Sequence, residues 1–343
     1  MDLANRGRNR RRLPGWVLPV LTWAIALGSL IWVFHGVDLR KMAADLLRLQ
    51  WHWVAAAVIA EIMVYVIQGW RWTILLRPVG KAPVLRSIRA VYVGVFANEV
   101  LPLRSGEVIR CFLQARWNDI SFPTVLSSFV IERVFDGIWL AVAFYLTTLY
   151  VRLPGFMEEM GKVLAIVVIV AVVILAYFKF HKHHARAAIS RRPWLSWLHH
   201  LVDGLHDMGD SPSFYFAALA SIPYLALQVV PFWALMKNYE LGLSFWAAFV
   251  VLIAVRLGTI LPQAPGNVGS FQFFTVASLA LFGVDKSTAA GLSLLMFTVI
   301  TLPLLIVGFI ALAVTGVKLN ELRHHVVNGM ARPPEAAAQV ERR

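Results

Sequence analysis

The chain has 343 residues, 59% of them hydrophobic and only 15% charged, which leaves too few polar groups to coat a soluble globule of that size. Its 32 Lys and Arg against 19 Asp and Glu give a net charge of +13, yet the basic residues fall between apolar stretches, as in cytoplasmic loops, rather than on one face of a soluble nucleic-acid-binding fold. A single cysteine, Cys111, excludes an internal disulfide or a Cys-rich metal site and reads as a packing residue.

In chain order, Arg6, Arg8, Arg10, Arg11 and Arg12 mark a basic, cytoplasmic amino terminus over residues 1–12. The uncharged run from Leu13 to Phe34 is long enough to cross a hydrocarbon core of about 30 Å. It ends in Trp32-Val33-Phe34-His35 rather than at small residues, so it reads as an uncleaved first span. Asp38 to Gln50 scatters Leu39, Met42, Leu46, Leu47 and Leu49 among charges, which predicts a short amphipathic helix at the outer interface, anchored by Trp51 and Trp53. A second span from about His52 to Leu76 returns to an inner loop with Arg77, Lys81, Arg86 and Arg89.

From Val91 to Leu113 the chain is apolar but broken by the polar stretch from Asn98 to Glu107, which includes Pro102, Arg104 and Gly106. Such a break at membrane depth needs neighbouring protein to satisfy the freed backbone, so the segment reads as a re-entrant hairpin of two half-helices. Spans follow at about Ser121 to Tyr150 and Val163 to Phe180, with Arg152, Glu158, Glu159 and Lys162 between them. A long hydrophilic inner loop holds Lys179, Lys182, Arg186, Arg191 and Arg192. After a span from about Phe214 to Met236, a second interrupted segment runs from Phe245 to Phe282, with Leu261, Pro262, Pro265, Gly266 and Gly269 at its centre. The last span, about Ala289 to Val317, leads to a basic cytoplasmic tail over residues 318–343.

The fold class expected is therefore all-α and polytopic, one membrane domain over residues 13–317 with six full spans and two re-entrant hairpins. Its outer loops carry seven basic against six acidic residues, so nearly all the positive charge falls inside or in the membrane. Residues 52–150 and 214–317 each read span, broken hairpin, span, in opposite directions, and each hairpin has Leu-Pro with a glycine four residues after the proline. Inverted repeats around discontinuous helices are a transporter architecture, with the ligand near the midplane where the half-helices meet.

The run from Asn98 to Arg110, followed by Glu132-Arg133 and Asp136, resembles the signature of the lysylphosphatidylglycerol synthase transmembrane-region family of flippase-like membrane proteins. Leu261-Pro262 through Pro265-Gly266 and Gly269 resembles that family's second signature, so the likeness covers roughly Trp51 to Gly316. The resemblance implies movement of a lipid or lipid-linked head group between leaflets of a bacterial inner membrane, with aminoacylated phospholipids, hopanoids and isoprenoid-linked glycans among the family's associations. Two positions depart from the pattern: Gln272 stands where the family usually has an acidic residue, and Met296 and Phe297 where an arginine is frequent. Full-length lysylphosphatidylglycerol synthases carry a soluble aminoacyl-transferase domain after the membrane part. Only a short tail follows Val317 here, so transferase activity is not expected.

The residues point to a polar centre independently. A charged side chain within a span costs about 2.5–3.5 kcal/mol even on permissive scales, so Glu107, Arg110, Glu132, Arg133, Asp136 and Arg256 are expected to face the protein interior. Glu132, Arg133 and Asp136 share a helical face, as do Arg104, Glu107 and Arg110. Two readings stay open: the arginines grip a lipid phosphate through their bidentate forks, or acids and arginines pair to hold broken helices together. Arg104, Arg110 and Arg256, with Asn98 and Glu107, are the head-group candidates, and Glu132, Arg133 and Asp136 the structural ones. Glu61 reads as a helix-pairing acid with proton coupling as the alternative, and Arg71, between Trp70 and Trp72, as an interfacial snorkelling arginine. His181, His183, His184, His199, His200, His324 and His325 lack acidic or cysteine partners for a metal site and read as a basic collar for anionic lipids. No nucleotide-binding, nucleophile-elbow or zinc-protease motif occurs, so no cofactor is expected. The partners expected are membrane lipids with anionic head groups and, on an accessory or glycosyltransferase-like reading, enzymes of envelope lipid synthesis.

Overall fold

A computed structural model describes residues 17–101, 105–180, 196–258 and 264–315. All regular structure among these residues is helical. The described chain begins with α1 (Val17–Phe34), and α2 (Leu39–Leu47) turns away from it by 86°. Asp38 sets that turn by accepting the Arg40 and Lys41 backbone N–H groups at 2.9 and 3.2 Å, the N-cap arrangement that short polar side chains provide. The chain continues as α3 (Trp51–Leu76), then a hairpin of α4 (Val84–Val100) and α5 (Gly106–Asn118), then α6 (Phe122–Thr148) and α7 (Gly155–Phe180). The second half holds α8 (Ser196–Gly209), α9 (Pro212–Asn238), a broken pair α10 (Phe245–Gly258) and α11 (Ser270–Ala280), and α12 (Lys286–Thr315).

Among the described residues, four helices are long and apolar enough to cross a membrane: Trp51–Leu76, Met157–Tyr177 within α7, Pro212–Asn238 and Lys286–Thr315. The bent pair of α1 and α2 makes a fifth if it counts as one span. At 27 residues α6 has the length, about 40 Å, but carries Glu132, Arg133 and Asp136 in its middle. The packing leaves a broad apolar surface uncovered. On α7, Val163, Ile166, Val167, Ile169, Val170 and Val173 are all exposed, an apolar surface that water does not tolerate at that extent. The chain is a multi-pass membrane protein.

Two expectations need correction. The stretch with Glu158, Glu159 and Lys162 is not a loop before a span at Val163; it is the first turns of α7, where Lys162 pairs with Glu159 at 2.6 Å on the exposed face. The hydrophilic loop before Phe214 contains α8, which buries Val202, Leu205 and Met208 against the first half. Its apolar residues recur three apart among His and Asp, so it is amphipathic rather than a linker.

Helix α3 lies against α9, the two helices that precede the hairpins. Helix α12 packs on α4, and α6 packs on α10. Two hydrophobic clusters result. One gathers Trp72, Val91, Ile109, Leu113 and Ile131 around the first hairpin; the other gathers Leu235, Val251, Leu252, Phe271 and Met296 around the second. A polar layer lies where they meet.

Candidate functional site

The first hairpin closes through contacts that only glycine permits. A Cβ on Gly106 would lie 1.9 Å from the Gly94 carbonyl oxygen, and one on Gly94 would lie 2.8 Å from the Gly106 carbonyl oxygen. The Gly106 N–H donates to Asn98 Oδ1 at 2.9 Å, so the last turn of α4 caps the first turn of α5. The Asn98 amide in turn donates to Glu107 at 3.4 Å. The other hairpin turns through Gly266, Asn267 and Gly269, all with positive φ. Gln272, which stands where the family usually has an acid, closes this turn: its Oε1 accepts the Gly269 N–H at 2.7 Å at the start of α11. The hairpin tips meet, because a Cβ on Gly266 would lie 3.4 Å from Glu99 Oε2.

Behind these tips runs a ladder of charges. Arg110 binds Glu107 at 2.7 Å and Glu132 at 3.2 Å, with its guanidinium over the rings of Trp72 and Phe129. Arg71 binds Glu132 at 3.2 Å and Asp136 at 2.6 Å, donates to Ser221 at 2.8 Å and stacks over Tyr224. Arg133 reaches Asp136 at 3.2 Å and faces Phe129. Gln68 lies beside Arg110 and Arg133, and with its amide turned so that the oxygen faces the two guanidiniums it accepts from each at 3.3 Å. Three arginines thus alternate with three carboxylates across α3, α5 and α6, and α9 adds a hydroxyl and a ring. Such pairing makes buried charge tolerable, since each group retains partners after leaving water.

Arg71 is therefore not the snorkelling residue its tryptophan neighbours imply. It is fully buried, as is Trp72, whose indole N–H donates to Ser128 at 2.7 Å. The polar positions of α3, Glu61, Tyr65, Gln68 and Trp72, fall at i, i+4, i+7 and i+11, and Ser221, Tyr224 and Gln228 of α9 repeat at i, i+3 and i+7. The α9 stripe is the signal that would have found Ser221 and Tyr224, whereas Arg71, at i+10, lies off the α3 stripe.

A cavity of about 350 Å³ opens beside the ladder, within the range of small-molecule sites. Both hairpins line it: Asn98, Glu99, Glu107 and Arg110 from the first, Arg256, Gly266 and Asn267 from the second. Glu61 and Arg133 join from α3 and α6. Arg110 is only 2% exposed and held on both sides, whereas the Arg133 side chain is 40% exposed and Arg256 is exposed as well. Arg256, in the last turn of α10, donates to the Gln228 carboxamide oxygen. Glu132 and Asp136 sit within the ladder rather than in the cavity wall. Pro102, Arg104 and Pro262 lie outside the described residues, as do the side chain of Pro265 and those of the histidines at 181, 183, 184, 199, 200, 324 and 325.

Two curated relatives are similar over most of the chain. The glycosyltransferase AglD of Haloferax volcanii is 24% identical over 288 residues, covering 71% of this chain and 45% of that protein, so the chain spans less than half of that relative's length. The UPF0104 membrane protein MJ1595 of Methanocaldococcus jannaschii is 21% identical over 320 residues, covering 87% and 94% respectively. The model of the family described as the lysylphosphatidylglycerol synthase TM region matches residues 20–308, nearly the whole described structure. The chain belongs to the lysylphosphatidylglycerol synthase transmembrane-region family.

Proposed function

We propose that the protein moves an anionic phospholipid or lipid-linked head group across the inner, cytoplasmic membrane, with both chain termini on the cytoplasmic side. The observation that carries the reading is the cavity between the two hairpin tips, with the guanidiniums of Arg133 and Arg256 on its wall. Arginine forks match phosphate oxygens bidentately, and a low-dielectric wall strengthens each such bond. Arg110, held by Glu107, Glu132 and two rings, serves this site as a positioning residue. Asn98 acts likewise by closing the hairpin. The reading assigns the grip to Arg133 and Arg256, and assigns no aminoacyl transfer to this membrane domain.

Lipids that co-purify in mild detergent test the assignment. Native mass spectrometry of the wild-type protein should show bound anionic lipid, and Arg133→Gln together with Arg256→Gln should lose it; because Arg133 also pairs with Asp136, its replacement lowers the melting temperature too, whereas Arg256→Gln alone should weaken lipid binding with the melting temperature nearly unchanged. Equal retention by the double variant would remove the assignment. A second reading draws on the likeness to the glycosyltransferase AglD: a non-transporting factor that works with enzymes of hopanoid or polyprenyl-glycan synthesis. Movement of lipid by the purified protein alone separates the two.

A further inference from the structure

The ladder uses Glu107, Glu132 and Asp136, each within 3.2 Å of an arginine nitrogen. Glu61 is different. It is 5% exposed in the middle of α3, lines the same cavity, and makes no ion pair among the described residues. Tyr65, one turn along the helix, and Arg256 from α10 line the same cavity, and Arg256 is the cation whose field reaches it. The other titratable groups that face it from the packed elements are Glu99 at the end of α4, Tyr92 on α4 and, across the cavity, Tyr224 on α9; α12 brings Thr301. Arg104 and residues 259–263 fall outside the described residues.

This arrangement links two equilibria. A buried carboxylate without a paired cation is costly, so the charge on Glu61 depends on how far Arg256 is available to it. An anion bound by Arg256 brings a second negative charge next to the first and engages their common cation. We propose that Glu61 is a proton-exchange site of the cavity, taking up one proton from solvent when an anionic head group binds and returning it when the head group leaves. An O–H bond forms on the carboxylate, no other bond changes, and the cavity then carries the anion with its charge compensated. This rests on the head-group reading above and adds the coupled ion to it.

Linkage fixes the sign: if binding takes up a proton, acidity must favour binding, by up to about tenfold in affinity per pH unit for one proton. The probe is dioctanoyl phosphatidylglycerol, whose phosphodiester stays ionised across the range used, added to the full chain in detergent. Wild-type protein should bind it more tightly at about pH 5.5 than at about pH 7.5 and should raise the pH of a weakly buffered solution on binding. Glu61→Gln should bind with nearly the same affinity at both pH values and take up no proton, whereas Glu99→Gln should keep the proton uptake. An infrared difference spectrum of the wild-type protein provides the same readout without a variant, as a carboxylic-acid C=O band that grows on binding. Binding equally tight at both pH values, or proton uptake that survives in Glu61→Gln, would overturn this inference alone. Absence of probe binding at either pH, by wild type and variant alike, would overturn the head-group reading and this inference with it.

Discussion

Replacing Arg71 by methionine tests the charge ladder where it is most buried. Arg71 has no solvent exposure and holds Asp136 at 2.6 Å, Glu132 at 3.2 Å and Ser221 at 2.8 Å. At about 3 Å and an effective dielectric near 20, a unit charge pair is worth about 5 kcal/mol before desolvation is subtracted. Removing one partner of a buried pair leaves the other uncompensated, and such changes cost about 3–5 kcal/mol. With Arg71 gone, two arginines, Arg110 and Arg133, face three carboxylates, where the wild type has three against three. Arg71→Met should therefore lower the melting temperature in detergent sharply, and adding Glu132→Gln, which restores two against two, should recover most of the loss. A single variant that melts like wild type would refute the ladder, and a double variant no better than the single would refute charge balance as its basis.

Other outcomes follow from particular contacts. Gly106→Ala should destabilise by about 1–3 kcal/mol, because its Cβ would collide with the Gly94 carbonyl, while Gly28→Ala, with nothing within 4 Å, should be close to neutral in the same melting assay. Asp285 holds Ser287, Thr288 and Lys41, joining α12 to α2. Burial alone would push its carboxyl up, but the bonds from Lys41, Thr288 and Ser287 outweigh it and bring the pKa from 3.8 to about 2. A carboxyl depressed in the folded state contributes stability that is full above pH about 4 and lost as pH falls toward about 2. Hydrogen-exchange protection in Leu39–Leu47, taken relative to the intrinsic rate at each pH, should thus fall over that window in wild type, whereas Asp285→Asn should show reduced protection already at neutral pH. Single cysteines in a Cys111→Ser background should be labelled from outside at positions 158 and 237 and stay protected at 191 and 332; outside labelling at 191 would refute the expected orientation.

The broken hairpins were legible because proline, glycine and acid at membrane depth cannot face lipid. The break between α4 and α5 falls after Val100, and that between α10 and α11 surrounds Pro265–Asn267. What the residues do inside was less legible. Arg71 looks interfacial between two tryptophans, yet its partners Asp136 and Ser221 are 65 and 150 residues away, a separation that local spacing does not carry. Arg110 looked like a phosphate grip because Glu107 alone does not appear to neutralise the arginines of the hairpin; Glu132, brought in by α6, supplies a second carboxylate. Helix α8 was hidden by its histidines and aspartates, which mask an apolar face three residues in period. Tertiary pairing decided each of these cases.

The central claim is that this protein by itself carries an anionic lipid head group through the cavity between its hairpins. Its direct test is leaflet exchange in liposomes containing only the purified protein, with a fluorescent phosphatidylglycerol and a fluorescent phosphatidylcholine followed by quenching of the outer leaflet. The account predicts faster movement of the phosphatidylglycerol than of the phosphatidylcholine, abolished in the Arg133→Gln and Arg256→Gln double variant. No movement of phosphatidylglycerol above protein-free liposomes, in protein shown to be folded, would contradict it.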